Sequence, residues 1–427
     1  MAKRILLLTQ GTRGDVDPFV ALGVALQQRG YSVRLGAPVD HEDYVESYGL
    51  PFVRCGESVR RFLDRPEVSS LVMSLRGSLE APRSTLKGLK VTRRVLESTL
   101  RDSLDAARDA DAVIAHPVIH TLPDIAEGFG IPTIVAALQP TAPTAKHPIT
   151  IVPSRTLGGP LNRASFQLYR MQRWMLHKEI GELRREFFDL PPPARLSPAH
   201  ALEGRPFPIL HAFSTAVAPE PEDQPPYCHQ TGYWFLEPRQ AWTPPDDFRR
   251  FLDAGETPIY AGFGSMPAVR RPEVTRAFGK ALRSLGLRAV VATGWGALDS
   301  AILESFGGTI FPIRDAPHPI LFPMMRAVVH HGGAGTTAAG LRSGKPTLTV
   351  PFAFDQYWWG RRVHELGVGP APLPVIELSQ RKLEARLAEL VGTPSYATAA
   401  HSLAARIAGE DGLGDAVRHI ANLIGPA

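Results

Sequence analysis

Three short stretches of this chain combine residue types at spacings that do chemistry. The first is Ala327-Val328-Val329-His330-His331-Gly332-Gly333-Ala334-Gly335-Thr336-Thr337, an apolar run that enters a glycine-rich turn. Glycines let a backbone approach a ligand closely, and a helix that opens behind them offers unpaired N–H groups at the positive end of its dipole. Such a place suits an anion, best a diphosphate; His331 adds a hydrogen-bond donor and Thr336 and Thr337 add hydroxyls. A glycine turn that merely caps a helix has the same spacing, and no Gly-Lys-Ser/Thr follows to make it a P-loop. The second is Asp355-Gln356, placed after the apolar run 346–350; a carboxylate beside an amide can hold neighbouring sugar hydroxyls, or the Asp can serve only as an N-cap. The third is Asp15 in Gly11-Thr12-Arg13-Gly14-Asp15, a carboxylate close behind the first apolar run, able to accept a proton or to cap a helix.

These residues matter only if elements bring them to strand ends. Arg4–Leu8 reads as a buried strand, Phe19, Leu22, Ala25 and Leu26 recur at helical spacing, and Gly30 ends that helix. Strands follow at 31–35, 112–115 and 132–135, with helices near 84–109 and 121–129; the proline-rich stretch 138–160 reads as loops and 161–188 as helix. Phe166, Tyr169, Met171, Trp174, Met175 and Phe187 in that helix form a packing face or the wall of an apolar cleft. Residues 217–226, polar and rich in proline, read as a linker. Beyond it come strands at 257–262, 287–292, 308–312, 327–331 and 346–350, and helices at 272–284, 335–342, 355–365, 379–391 and 395–408. The alternation predicts an α/β fold with two doubly wound parallel sheets: a first domain at 1–216, a linker at 217–228 and a second domain at 229–409, with a helix at about 410–427 packing back on the first. In such sheets ligands bind beyond the carboxyl ends of the strands.

The 427 residues give a prior of two to three domains, and 44% hydrophobic with 21% charged residues is an ordinary globular mixture. Lys+Arg 47 against Asp+Glu 42 is a mild excess, too weak for a nucleic-acid binder, though compatible with an anionic ligand or a passing contact with a membrane surface. Two distant cysteines, Cys55 and Cys228, argue against disulfides and zinc. The apolar start stops at Thr9, too short for a signal peptide, and no run reaches a membrane span, so a cytoplasmic location without stable membrane insertion is expected.

Taken together, the blocks 11–18, 315–337 and 351–369, with Gly262–Met266 and Thr231–Trp234 beside them, resemble the GT-B nucleotide-sugar glycosyltransferases, in particular the bacterial natural-product and sterol branch of the UDP-glycosyltransferase family. The resemblance covers most of 1–55 and 229–370 and is weak between 60 and 215. It implies an acceptor-binding domain at 1–216 and a nucleotide-sugar donor domain at 229–409, and an inverting transfer of a hexose from a UDP- or dTDP-sugar, UDP-glucose favoured, to a hydroxyl of a lipophilic small molecule, as in antibiotic biosynthesis and other secondary metabolism. By resemblance the donor phosphates fall to Ser265, His331, Gly332, Gly333, Gly335, Thr336 and Thr337, the base to Ala316 and His318, the sugar to Asp355, Gln356 and Trp358, and the general base to Asp15, with Arg13 and Gly14 in its acceptor loop. Two departures stand out. Asp315 and His318 replace the Trp and Gln of the plant signature, and Ala339 stands where plant enzymes carry a Glu; Trp295 is the alternative partner for the base. Asp15-Val16-Asp17 spells a metal-binding Asp-x-Asp, but with the phosphate site over 300 residues away Asp17 reads as helix-start charge, and neither metal nor cofactor is expected. A nucleotide-sugar epimerase and a non-catalytic nucleotide-sugar or lipid-binding protein are the competing functions; oligomeric state is left open.

Overall fold

The computed structural model describes residues 2–63, 65, 93, 96–153, 155–239, 242–264, 272–294, 298–314 and 316–427. The chain forms two compact units, Met1–Leu236 with Glu410–Ala427, and Glu237–Gly409.

Unit 1 contains β1 (Arg4–Leu8), β2 (Ser32–Ala37), β3 (Phe52–Arg54), β4 (Ala112–Ala115), β5 (Thr133–Ala137), a small hairpin of β6 (Ala201–Leu202) and β7 (Arg205–Pro206), β8 (Ile209–His211) and β9 (Cys228–Gln230). Seven of these make one sheet in the order β3-β2-β1-β4-β5-β8-β9, parallel throughout. Ile5, Leu6, Leu7 and Leu8 are all buried, as the continuous apolar run requires of a strand covered on both faces. Behind β1 the helix α1 (Arg13–Gln28) buries Val16, Phe19, Val20, Leu22 and Leu26. It begins at Arg13, earlier than the proline suggests, so Pro18 lies inside it and cannot supply the N–H of that turn.

Unit 2 contains β10 (Ile259–Gly262), β11 (Ala289–Ala292), β12 (Ile310–Ile313), β13 (Val328–His330) and β14 (Thr347–Thr349), parallel in the order β12-β11-β10-β13-β14. Its strands are buried on both faces: Ala261, Val291 and Val329 join one apolar cluster, Tyr260, Val290 and Val328 the other. The helices α2 (Ala334–Arg342) and α3 (Gln356–Glu365) start directly after β13 and the loop following β14. Each sheet reverses its strand order beside its first strand, between β1 and β4 and between β10 and β13, the places where ligands bind in such sheets.

Two details differ from the sequence expectations. Residues 161–188 are not one helix but three short ones, Gly159–Ser165, Leu168–Met175 and His177–Phe188. Stretch 217–226, expected between the domains, joins β8 to β9 inside unit 1, and the division falls after Leu236 because β9 is stitched to β8 by main-chain pairing. Of the helix near 84–109, the continuously described part, 96–107, is helical. The helix α4 (Gly412–Ile424) belongs to unit 1, where Asp415 meets His229 Nε2 at 2.7 Å and Tyr31 donates to the Gly425 carbonyl over 2.8 Å. Both cysteines are free and buried, and among the described residues no helix is long and apolar enough to cross a membrane.

Candidate active site

In unit 1 the turn after β1 delivers Asp15 to the switch point. Thr12 is the N-cap of α1, and Asp15, in the first turn, reaches back: its Oδ2 accepts from the Thr12 backbone N–H over 2.8 Å and from the Thr12 hydroxyl over 3.3 Å. The capping expected of Asp15 is therefore present, and it does not use up the carboxylate, because both bonds converge on one oxygen. Burial raises the Asp15 carboxyl to about 6, against the Thr12 hydrogen bonds, which lower it. Gly14 is half-buried and Arg13 exposed, its guanidinium 4.1 Å above the Tyr44 ring and 3.5 Å from Asp17. Asp17 is thus more than a charge at a helix start: burial raises its pKa, and Arg13 and Tyr44 oppose the rise.

Several buried histidines of unit 1 carry no signal in the sequence, where they stand among largely apolar residues. His116 follows β4, its amide donating to the Leu8 carbonyl over 2.8 Å, its ring 6.4 Å from Phe19. Burial lowers His116 to about 4, His120 to about 3, His200 to about 4 and His211 to about 3, so all four rings are neutral at pH 7. His41 is buried too and meets the Gly11 carbonyl oxygen. Sequence reading also misses Asp124, buried between Arg173 at 2.8 Å and Arg184 at 2.9 Å. Of the aromatic face in 161–188, Phe166 and Tyr169 pack inside, whereas Met171 and Trp174 are exposed.

In unit 2 the glycine turn sits where expected, between β13 and α2. Gly332 has φ +90, and a Cβ there would meet the Gln356 carbonyl at 2.9 Å, so only glycine fits. Gly333 is the N-cap and makes no side-chain cap. The first intrahelical bond is Thr337 N–H to Gly333 O at 2.9 Å, which leaves the amides of Ala334, Gly335 and Thr336 ahead of the ladder, the groups that bind anions at a helix start. The His331 ring lies against this turn: a Cβ at Gly333 would come 2.5 Å from its Nε2, and one at Gly264 3.0 Å from its ring carbon. His331 Nδ1 and the Thr337 hydroxyl are buried without a hydrogen-bond partner among the described residues. Burial lowers His331 to about 4, so the ring is uncharged at pH 7 and carries one N–H. His330 behind it accepts from the Gly332 N–H at Nδ1 over 2.9 Å, which fixes the turn.

Ala316 packs against the apolar cluster under β10, and His318 stacks on Phe322 at 4.3 Å with the Tyr260 hydroxyl 3.4 Å from its Nε2. Ser265, Trp295 and Asp315 lie outside the described residues. In the loop before α3, Asp355 Oδ2 accepts from the Trp359 indole N–H over 3.0 Å, and Gln356 Oε1 accepts from the Phe352 and Ala353 amides over 2.8 and 3.2 Å. Trp358 is buried, edge-on to Trp359. Phe354, exposed and at φ +57, is held in a strained conformation by the bonded residues around it. Among the described residues no cluster of three or more His, Cys, Asp or Glu is placed for a metal ion.

Two parallel-sheet units, each with a 3-2-1-4-5 core, and an amide-lined turn at the switch point of the second define the GT-B class of fold. Comparison with known proteins agrees. Residues 5–148 match the glycosyltransferase family 28 N-terminal domain, and 303–422 the C-terminal domain of erythromycin biosynthesis protein CIII-like proteins. The chain is 33% identical to O-mycaminosyltylonolide 6-deoxyallosyltransferase of Streptomyces fradiae, over 97% of this chain and 96% of that one. It is 33% identical to a sterol 3-beta-glucosyltransferase of Arabidopsis thaliana over 97% of its own length, but spans only 64% of the plant protein. In fold it resembles the glycosyltransferase VinC, solved in complex with dTDP, at TM-score 0.67 and 19% identity, covering 99% and 100% of the two chains. The chain belongs to the GT-B glycosyltransferases, in the family that holds the sterol and macrolide glycosyltransferases.

Proposed function

We propose that the protein is an inverting glycosyltransferase that moves a hexose from a UDP- or dTDP-sugar, UDP-glucose favoured, to a hydroxyl of a sterol-like or macrolide-like acceptor, without a metal ion. The observation that carries this reading is the turn at His331–Thr337 at a sheet's switch point, where the helix-start amides lie ahead of the ladder beside the His331 ring, and where His331 Nδ1 and the Thr337 hydroxyl are buried without a partner among the described residues. These are donors only or donor-capable groups, and a diphosphate is an acceptor of many bonds.

In the reaction the acceptor oxygen attacks the anomeric carbon from the side opposite the diphosphate. The bond from that carbon to the phosphate oxygen breaks, its electron pair leaves with the diphosphate, and the hydroxyl proton passes to Asp15. Asp15 at about 6 is a better base than an ordinary carboxylate and is still mainly ionised at pH 7. His331, Thr336, Thr337 and the turn amides take up the charge that grows on the leaving phosphate, with Ser265 reaching the same phosphates; fixed donors of this kind supply much of the catalysis in transfer reactions. Ala316 and His318 flank the nucleotide base, with Trp295 as a further stacking surface. Asp355 and Gln356 hold the sugar hydroxyls beside Trp358, on a loop that the Gln356–Phe352 and Gln356–Ala353 bonds stiffen. This reading assigns no metal to the Asp15–Asp17 pair: Asp17 pairs with Arg13, Asp15 is oriented by Thr12 with its other oxygen left for the hydroxyl proton, and the turn at His331–Thr337 meets the phosphate charge. We place the protein in the cytoplasm, where nucleotide sugars are made available to natural-product and sterol-type acceptors.

The test is mass spectrometry of products from a panel of nucleotide sugars and lipophilic aglycones. The reading expects a product heavier than its aglycone by one dehydrated hexose, together with free nucleoside diphosphate. Interconversion of the sugar without transfer, or binding without any product, would replace it with the epimerase or the binding-protein reading.

A further inference from the structure

The loop that carries Asp15 is gripped from a second side. His41 ends the 3-10 turn Val39–His41 after β2 and is 3% exposed. Its Nε2 lies 3.1 Å from the carbonyl oxygen of Gly11. A carbonyl only accepts, so the proton sits on Nε2 and the ring donates. That carbonyl belongs to the peptide joining Gly11 to Thr12. The N–H of the same peptide is the one that donates to Asp15 Oδ2 over 2.8 Å. One planar amide therefore connects the imidazole to the carboxylate, and rotating its plane breaks both bonds. Gly11 makes the arrangement possible: it has φ +121, and a Cβ there would stand 2.2 Å from Asp15 Oδ2. The carboxyl rests directly on this peptide.

We propose that His41 is a positioning residue for Asp15: through the Gly11–Thr12 peptide it fixes the direction of the carboxylate and strengthens the N–H bond that the carboxylate receives. Hydrogen bonds in a chain polarise one another, so a donor at the carbonyl makes the amide proton a better donor at the other end. Burial keeps the imidazole uncharged near neutrality, so it supplies a bond without a competing cation. The other groups facing the pair are the Thr12 hydroxyl and Asp17 toward Asp15, and Asp40, Asp17 and Arg13 toward His41, with Tyr44 bonded to Asp17. None of them touches the Gly11 carbonyl in place of His41 among the described residues. The kinetic part of this inference rests on Asp15 being the base proposed above; the structural coupling does not.

The experiment is a carboxyl-carbon NMR titration of Asp15 in the full chain, assigned with Asp15→Asn, in wild type, His41→Phe and His41→Gln, with kcat and KM measured on the same samples and folding checked by thermal unfolding. His41→Phe should raise the Asp15 pKa by about one unit, shift the acid limb of kcat/KM with it and lower kcat about tenfold, leaving donor KM within about twofold. His41→Gln, whose amide donates at similar reach, should restore most of each. An unmoved Asp15 pKa in His41→Phe, or glutamine no better than phenylalanine, overturns the proposal. So does a nitrogen spectrum of the wild-type protein placing the His41 proton on Nδ1, a measurement that needs no variant to fold. If Asp15→Asn keeps full activity while the NMR shift persists, the base assignment fails and the coupling stands.

Discussion

A methyl group at Gly333 would stand 2.5 Å from Nε2 of His331. A Cβ at Gly264 would also come within 3.0 Å of a carbon of the same ring, so the imidazole packs closely against both glycines. Gly333 itself has φ −64, which alanine adopts freely, so Gly333→Ala displaces the imidazole without straining the backbone. Calorimetry should find UDP or dTDP bound about tenfold or more weakly by Gly333→Ala, with the unfolding temperature nearly unchanged. Equal affinity would remove His331 from the diphosphate site.

Asp15 must be ionised to take a proton, and burial sets its pKa at about 6. In the free enzyme kcat/KM should therefore climb through pH 6 and level off by about pH 8. An acid limb near pH 4 would mean that the carboxyl is solvated or that another group is the base.

In the proposed route the charge on the leaving diphosphate is met by helix-start amides and His331, with no metal at Asp15, which Thr12 holds, or at Asp17, which pairs with Arg13. Turnover in excess EDTA should equal turnover without it. A loss restored by magnesium or manganese would contradict the metal-free route.

The buried histidines make stability depend on pH with a definite sign. His116, His120, His200, His211 and His331 have pKa values lowered to about 3 or 4, while an unfolded chain protonates its histidines near 6.5. Below pH 6.5 the unfolded state binds more protons, so their contribution is complete above that pH and is lost as pH falls toward 4. Asp15, raised to about 6, acts oppositely: it favours the fold at low pH and stops doing so above 6. Burial raises Asp17 in the same sense as Asp15 and lowers His41 and His330 in the same sense as the five, so seven buried histidines against two aspartates predict an unfolding temperature that drops between pH 7 and 4.5. His120 has neither ring nitrogen bonded among the described residues, so His120→Leu should cost little at pH 7 and flatten the drop. A steeper drop in the variant would show that His120 is satisfied in solution.

Much of the framework was legible because buried parallel strands are continuous apolar runs: Ile5–Leu8, Ala112–Ala115 and Val328–His330 declare themselves, as does the helix Pro272–Ser284. The glycine turn was legible because Gly332 is required by a positive φ. What was hidden depends on contacts between distant segments. His41 meets Gly11 from 30 residues away, and nothing in its neighbours distinguishes it from any other core histidine. Gln356 reads as a sugar ligand, yet its carbonyl oxygen braces the Phe352 and Ala353 amides. Proline content marked 217–226 as a linker, whereas the pairing of Cys228–Gln230 with β8 carries the chain on within unit 1.

The most direct measurement is hexose transfer by Asp15→Asn beside its affinity for the nucleoside diphosphate. The isosteric amide keeps the shape at Thr12 but cannot take the hydroxyl proton, so transfer should fall at least a hundredfold while UDP or dTDP binds as in wild type. Transfer at the wild-type rate would contradict the account, and so would a loss of nucleotide affinity that matches the loss of transfer.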